Sequence, residues 1–86
     1  MLFKTKKTTD KNTKKAIEKS LNEIQINLEN NYKDLAITAY KKSSELIENA
    51  HQSNLIDDKA YNKYKSQLDT YSEKMKGYSH RLNIKY

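Results

Sequence analysis

The chain has 86 residues, of which 33% are charged and 35% hydrophobic, and its formal net charge is +6. A chain of this length forms one small domain with a thin core, so stabilisation by a binding partner is expected. It contains no cysteine, which excludes disulfides, thiol catalysis and thiolate metal sites and favours a cytoplasmic location. No apolar run approaches the roughly 18 residues that a membrane span requires.

Residues that break regular backbone are almost absent, since the chain has one glycine, Gly77, and no proline. Tight hairpins and phosphate-binding loops depend on such residues, so the composition predicts an all-α fold. Lysine provides all but one of the 17 basic residues, the exception being Arg81. Together with many Asn, Ile and Tyr residues, this lysine bias is typical of an AT-rich genome, such as that of a low-GC bacterium or its phage.

The basic charge is concentrated at the N-terminus. The first fifteen residues hold six lysines and a single acidic residue, Asp10, a net charge of +5, and the other residues add only +1. We predict a flexible basic arm over residues 1–12 that contacts phosphates or an acidic protein surface, or else serves as a solubilising tail. Without arginine, the arm would bind nucleic acid in a salt-sensitive way and without reading sequence. Its candidate contact residues are Lys4, Lys6, Lys7, Lys11, Lys14 and Lys15.

Apolar residues recur at helical spacing after Thr13. The first set, here called the aliphatic stripe, consists of Ile17, Leu21, Ile24 and Leu28. A second set follows from Tyr32 to Ala50, with Asn30 and Asn31 between the two. The asparagines can end one helix and begin another, which gives a short three-helix bundle, or a single helix over about 13–50 can absorb them as a stutter. We favour the single helix, of about 55 Å.

A firmer turn is predicted after Ala50. In the polar run His51-Gln52-Ser53-Asn54, Asn54 is placed to adopt a left-handed conformation, after which Leu55 folds back onto the helix end. Asp57 is the expected N-cap of the last helix. Ile56 precedes this cap as a staple residue that would contact Tyr61.

The last helix has a coiled-coil spacing, in which apolar residues alternate at three and four positions. They are Tyr61, Tyr64, Leu68, Tyr71, Met75, Tyr78 and Leu82. We predict an antiparallel helix over about 58–76, a helical domain over residues 13–78 that Gly77 helps to end, and a C-terminal tail over residues 79–86.

A geometric argument predicts association. A last helix of about 30 Å covers only part of a first helix of 55 Å, so the aliphatic stripe would remain exposed without a homodimer or a partner protein. Tyrosine is enriched at interfaces, and Ile26 and Ile37 are expected to share an outward face. The predicted protein interface is Ile17, Leu21, Ile24, Leu28, Ile26, Ile37, Tyr64, Tyr71 and Tyr78.

Catalytic chemistry is not indicated by the sequence. The two histidines, His51 and His80, have no second ligand or base at helical spacing, and the acidic pair Asp57 and Asp58 is explained by helix capping. We therefore predict no enzyme activity, no metal and no cofactor. The expected function is that of a small protein-interaction module, accessory or inhibitory, of a bacterial mobile element or phage. The alternative is a sequence-non-specific nucleic-acid-associated protein.

Overall fold

The computed structural model describes residues 9–76, which form three helices and no strand within that range. Helix α1 spans Lys11–Glu29, α2 spans Lys33–Gln52 and α3 spans Asp58–Lys74. The predicted all-α class is confirmed, in its three-helix form. The predictions for residues 1–8, for Gly77, for Tyr78 and for the tail 79–86 fall outside the described residues.

Helix α1 begins at Lys11, two residues earlier than predicted, because Asp10 caps it. The Asp10 carboxylate accepts hydrogen bonds from the backbone N–H and the hydroxyl of Thr13, both at 2.9 Å. The backbone N–H of Asp10 donates to the carbonyl of Leu55 at 2.7 Å, which ties the start of α1 to the turn between α2 and α3. Lys11, which was predicted to lie in the flexible arm over residues 1–12, therefore stands on a helix.

The favoured single helix over 13–50 is wrong, because the chain reverses at the two asparagines. Asn31 has φ 59°, a left-handed conformation that asparagine tolerates better than most residues. The N–H of Asn31 donates to Leu28 O at 3.1 Å and that of Tyr32 to Asn27 O at 2.8 Å. These two bonds form a Schellman motif, which satisfies carbonyls at the end of α1 and turns the chain back.

The turn between α2 and α3 repeats this motif, as predicted for Asn54. Its φ is 61°, its N–H donates to His51 O at 3.1 Å, and the N–H of Leu55 donates to Ala50 O at 2.8 Å. The Asp57 cap is confirmed as well, since its carboxylate accepts the N–H of Ala60 at 2.8 Å.

Helix α2 lies between its two neighbours along the chain and packs against both, whereas α1 and α3 make few contacts with each other. Each turn reverses direction, so α1 and α3 run parallel. The expectation that the aliphatic stripe is exposed is wrong. Ile17 and Ile24 are fully buried and Leu21 is buried, in one core with Ile47, Leu68 and residues around them. The reversal at Asn31 folds α2 onto the stripe, so no second molecule is needed to cover it.

The expected pairing of Ile26 and Ile37 on one outward face is wrong as well. Ile26 is 45% exposed, but Ile37 is only 5% exposed and packs in a second core cluster with Ala36 and Met75. The turn resets the helical phase, so a face extrapolated along one continuous helix does not carry over into α2. Met75 covers Ile37 because α3 runs back along the whole of α2.

The spacing of three and four predicted for α3 corresponds to its buried face. Tyr64, Leu68 and Met75 are buried, and Tyr61 and Tyr71 pack against the core with part of each side chain accessible. This placement allows each aromatic ring to contribute apolar contact while its hydroxyl reaches a polar partner or the surface.

Candidate functional site

The structure places most of the predicted protein interface inside the bundle. Ile17, Leu21, Ile24, Ile37 and Tyr64 are buried, and Leu28 and Tyr71 are partly buried. Ile26 alone of the predicted residues that the structure describes is well exposed. The interface predicted from apolar residues is therefore largely the core, and the concave parts of the accessible surface lie between the helices.

A groove of about 400 Å³ runs between the parallel helices α1 and α3. It exists because these helices contact α2 far more than each other. Three residues of the predicted interface reach it, namely Leu21, Tyr64 and Tyr71. The α1 side is lined by Glu18, Leu21, Asn22 and Gln25, and the α3 side by Tyr64, Gln67, Thr70, Tyr71 and Lys74.

Two tyrosines contribute the aromatic part of this groove. The Tyr64 hydroxyl donates to Glu18 Oε2 at 3.3 Å, and burial, followed by the Glu18 charge, raises the pKa of Tyr64. Burial and the charge of Glu29 raise the pKa of Tyr71. Both phenols therefore stay neutral at physiological pH, with the Tyr64 O–H already donated to Glu18. Amides from Asn22 and Gln25 face them across the groove.

A second concavity, of about 230 Å³, lies at the end of the bundle where α1 and α3 begin. It is lined by Thr9, Lys14, Lys59, Ala60, Lys63 and Tyr64. Of the predicted basic contacts, Lys11, Lys14 and Lys15 are on α1, and Lys4, Lys6 and Lys7 fall outside the described residues. Sequence reasoning missed Lys59 and Lys63. Their spacing of four on one helix face was the available signal, but only the fold brings that face to Lys14.

The structure also assembles a polar cluster between α2 and α3 that the sequence did not suggest. Glu48 accepts hydrogen bonds from the Tyr61 hydroxyl at 2.9 and 3.2 Å and from Lys65 Nζ at 2.9 Å. His51 stacks on Tyr61 with ring centroids 3.9 Å apart, and its Nε2 lies 2.9 Å from Asp58 Oδ1. The cluster fastens α2 to α3. Within residues 9–76, no group of three or more His, Cys, Asp or Glu side chains could hold a metal ion.

This cluster makes stability depend on pH on the acidic side. The hydrogen bonds from Lys65 and Tyr61 hold the pKa of Glu48 below its usual value of 4.5. A carboxylate with a lowered pKa in the folded state stabilises the fold above its unfolded pKa, and this contribution is lost as pH falls through the folded pKa. We expect Glu48→Gln to flatten the loss of stability below pH 4.5, measured by urea unfolding at a series of pH values.

Glu45 provides the matched control for that measurement. It is exposed on the same helix and forms no ion pair with any residue in 9–76. Glu45→Gln should leave the pH dependence of the native chain unchanged. If the free energy of unfolding falls in the same way below pH 4.5 for both variants, the hydrogen bonds to Glu48 do not contribute measurably to stability.

Neither the hydropathy of the helices nor similarity to known proteins indicates a function. None of the three helices is long and apolar enough to cross a bilayer. No protein-family model, no curated protein and no solved structure matches the chain.

Proposed function

We propose that this protein is a non-enzymatic interaction module that binds an amphipathic helix of a partner protein in the groove between α1 and α3. The observation that supports the proposal is the groove itself, which two parallel helices form with tyrosine and leucine at its base and amides along its sides. Leu21, Tyr64 and Tyr71 supply the apolar part of the lining, and polar side chains supply the rest, a mixture that suits the amphipathic face of a helix.

The dimensions of the groove suit a helix lying along it. Tyr64 and Tyr71 are one heptad apart on α3, as are Glu18 and Gln25 on α1, which corresponds to about 10.5 Å of helix axis. A partner helix presents residues i, i+3, i+4 and i+7 over the same distance. Binding there would add a fourth helix against α1 and α3, the two helices that contact each other least.

The charges at the two ends define the chemistry of the partner. Glu18 stands at one end of the groove and Lys74 at the other. A helix with an apolar centre, a basic residue near Glu18 and an acidic residue near Lys74 complements these charges and fixes its own orientation. A homodimer is no longer required, because the aliphatic stripe that would have demanded one is buried by α2 and α3.

Site-specific photo-crosslinking tests the proposal. A photoreactive amino acid at Gln67, on the side of the groove, is compared with the same amino acid at its neighbour Ser66, which is exposed and does not line the groove. We expect Gln67 alone to crosslink one amphipathic helix of a partner, whose synthetic peptide then binds the purified chain.

A pair of Asn→Arg substitutions separates this groove from the rest of the surface. Asn22→Arg places a bulky charge in the groove. It should lower the affinity for the peptide at least tenfold, which is about 1.4 kcal/mol of binding free energy. Asn49→Arg, on exposed surface of α2, should leave the affinity unchanged. Absence of any crosslink, equal crosslinking from Ser66, or equal effects of the two substitutions would each contradict the proposal.

A further inference from the structure

Three lysines from two helices converge on the concavity at the start of α1 and α3. Lys14 comes from α1, Lys59 and Lys63 come from α3, and the Thr9 side chain completes the wall. Lys59 and Lys63 are four positions apart, so their side chains lie on one face of α3 at a separation of about 5 to 6 Å between Cβ atoms. We call this concavity the lysine cleft.

The charges of the lysine cleft are not neutralised by ion pairs within the described part of the chain. None of its three lysines lies within 4.0 Å of a carboxylate of residues 9–76, in contrast to Lys65, which pairs with Glu48. The neighbouring carboxylates Asp10 and Asp57 accept backbone N–H groups as helix caps. The cleft therefore presents three ammonium groups outside any ion pair of residues 9–76, although the capping carboxylates keep their negative charge nearby.

We infer that the lysine cleft binds the phosphodiester backbone of nucleic acid and does not read base sequence. Lysine is a compact point charge that suits phosphate oxygens, and each lysine that contacts a phosphate releases counterions from the nucleic acid. The cleft has no arginine, the residue that most often reads guanine by paired hydrogen bonds.

The inference is tested by fluorescence anisotropy with a labelled DNA duplex over about 50 to 200 mM salt. The triple variant Lys14→Gln, Lys59→Gln and Lys63→Gln is compared with Lys19→Gln, Lys41→Gln and Lys42→Gln. The control lysines are exposed on α1 and α2, make no ion pair within residues 9–76, and give the same change in net charge. Only Gln replacements on exposed side chains are used, and unchanged thermal unfolding confirms that both triples fold.

We expect the native chain to bind with a steep salt dependence that is the same for unrelated duplex sequences. The cleft triple should lower the slope of log K against log salt by about 2 to 3 and weaken binding at least tenfold at low salt, while the control triple changes affinity less than about threefold. Equal losses from both triples, an unchanged slope, or no binding to DNA at low salt would overturn the inference. Cleft-dependent binding to phosphatidylserine vesicles in place of DNA would also overturn it.

These results are independent of the proposed helix groove. Tyr64 lines both sites, but Asn22→Arg blocks the groove without removing a lysine from the cleft, so it should not weaken DNA binding. The two triples report on DNA and do not involve a partner peptide. Failure of one proposal therefore leaves the other standing.

Discussion

Replacement of Ile24 by alanine is expected to lower the free energy of unfolding by about 2 to 5 kcal/mol. The side chain is fully buried in the main core, where α2 and α3 cover it. Its removal forfeits the apolar burial and leaves a cavity that a closely packed three-helix bundle fills poorly. Because a small domain has a total stability of only about 5 to 15 kcal/mol, the loss is a large fraction of the whole. Urea unfolding followed by circular dichroism measures it directly.

Ile26 is the matched control, since it is the same residue type two positions away on the same helix but 45% exposed. Ile26→Ala should change the stability by no more than about 0.5 kcal/mol. If the two variants were equally destabilised, or if Ile24→Ala cost less than Ile26→Ala, the face of α1 that carries Ile24 would not be the one that packs into the core. The aliphatic stripe would then be open to a partner after all.

The second large effect is expected where α1 and α2 cross. Ser20 and Ser43 are both buried, and their hydroxyl oxygens lie 2.6 Å apart in a hydrogen bond. Ser43→Ala removes one hydroxyl and leaves the other buried without its partner, which should cost about 1 to 3 kcal/mol of stability. The same loss is expected for Ser20→Ala.

The double variant Ser20→Ala and Ser43→Ala distinguishes pairing from packing. Removing both hydroxyls leaves two methyl groups in an apolar setting, so the double variant should be close to the native chain in stability and more stable than either single variant. The four free energies of unfolding form a double-mutant cycle. Strict additivity in that cycle would contradict an energetically significant hydroxyl pair.

The last helix and the turn before it were predictable because their signals are local. Asp57 is a capping residue at the right position, and Asn54 followed by an apolar residue marks a left-handed helix end. The buried face of α3 follows from the spacing of Tyr64, Leu68 and Met75, which requires only the pitch of a helix.

The turn at Asn31 was mispredicted because the spacing of the apolar residues does not distinguish a turn from a continuous helix at this point. A stripe that drifts slowly across two asparagines is compatible with one helix or with two, since a stutter and a break displace it by similar amounts. Asn31 is followed by the apolar residue Tyr32 just as Asn54 is followed by Leu55, and both asparagines have nearly the same φ. The repeated local motif was therefore better information than the continuity of the stripe.

The candidate sites required the fold itself. Residues 14 and 59 are distant in sequence, and only two reversals of direction bring the first turns of α1 and α3 to the same end of the bundle. The groove between these helices likewise depends on α2, which comes between α1 and α3 in sequence and packs against both. Of these features, the sequence indicated only that the N-terminal lysines and the tyrosines of the last helix would be involved.

The two short asparagine turns also bear on how quickly this chain reaches its native state. Each helix packs mainly against the helix next to it in sequence, and each turn is closed by hydrogen bonds that span only a few residues. Loop-closure entropy is therefore small at every step, and helical topologies of this kind fold in microseconds to milliseconds. Such a chain is therefore expected to assemble its core within milliseconds and without the help of a binding partner.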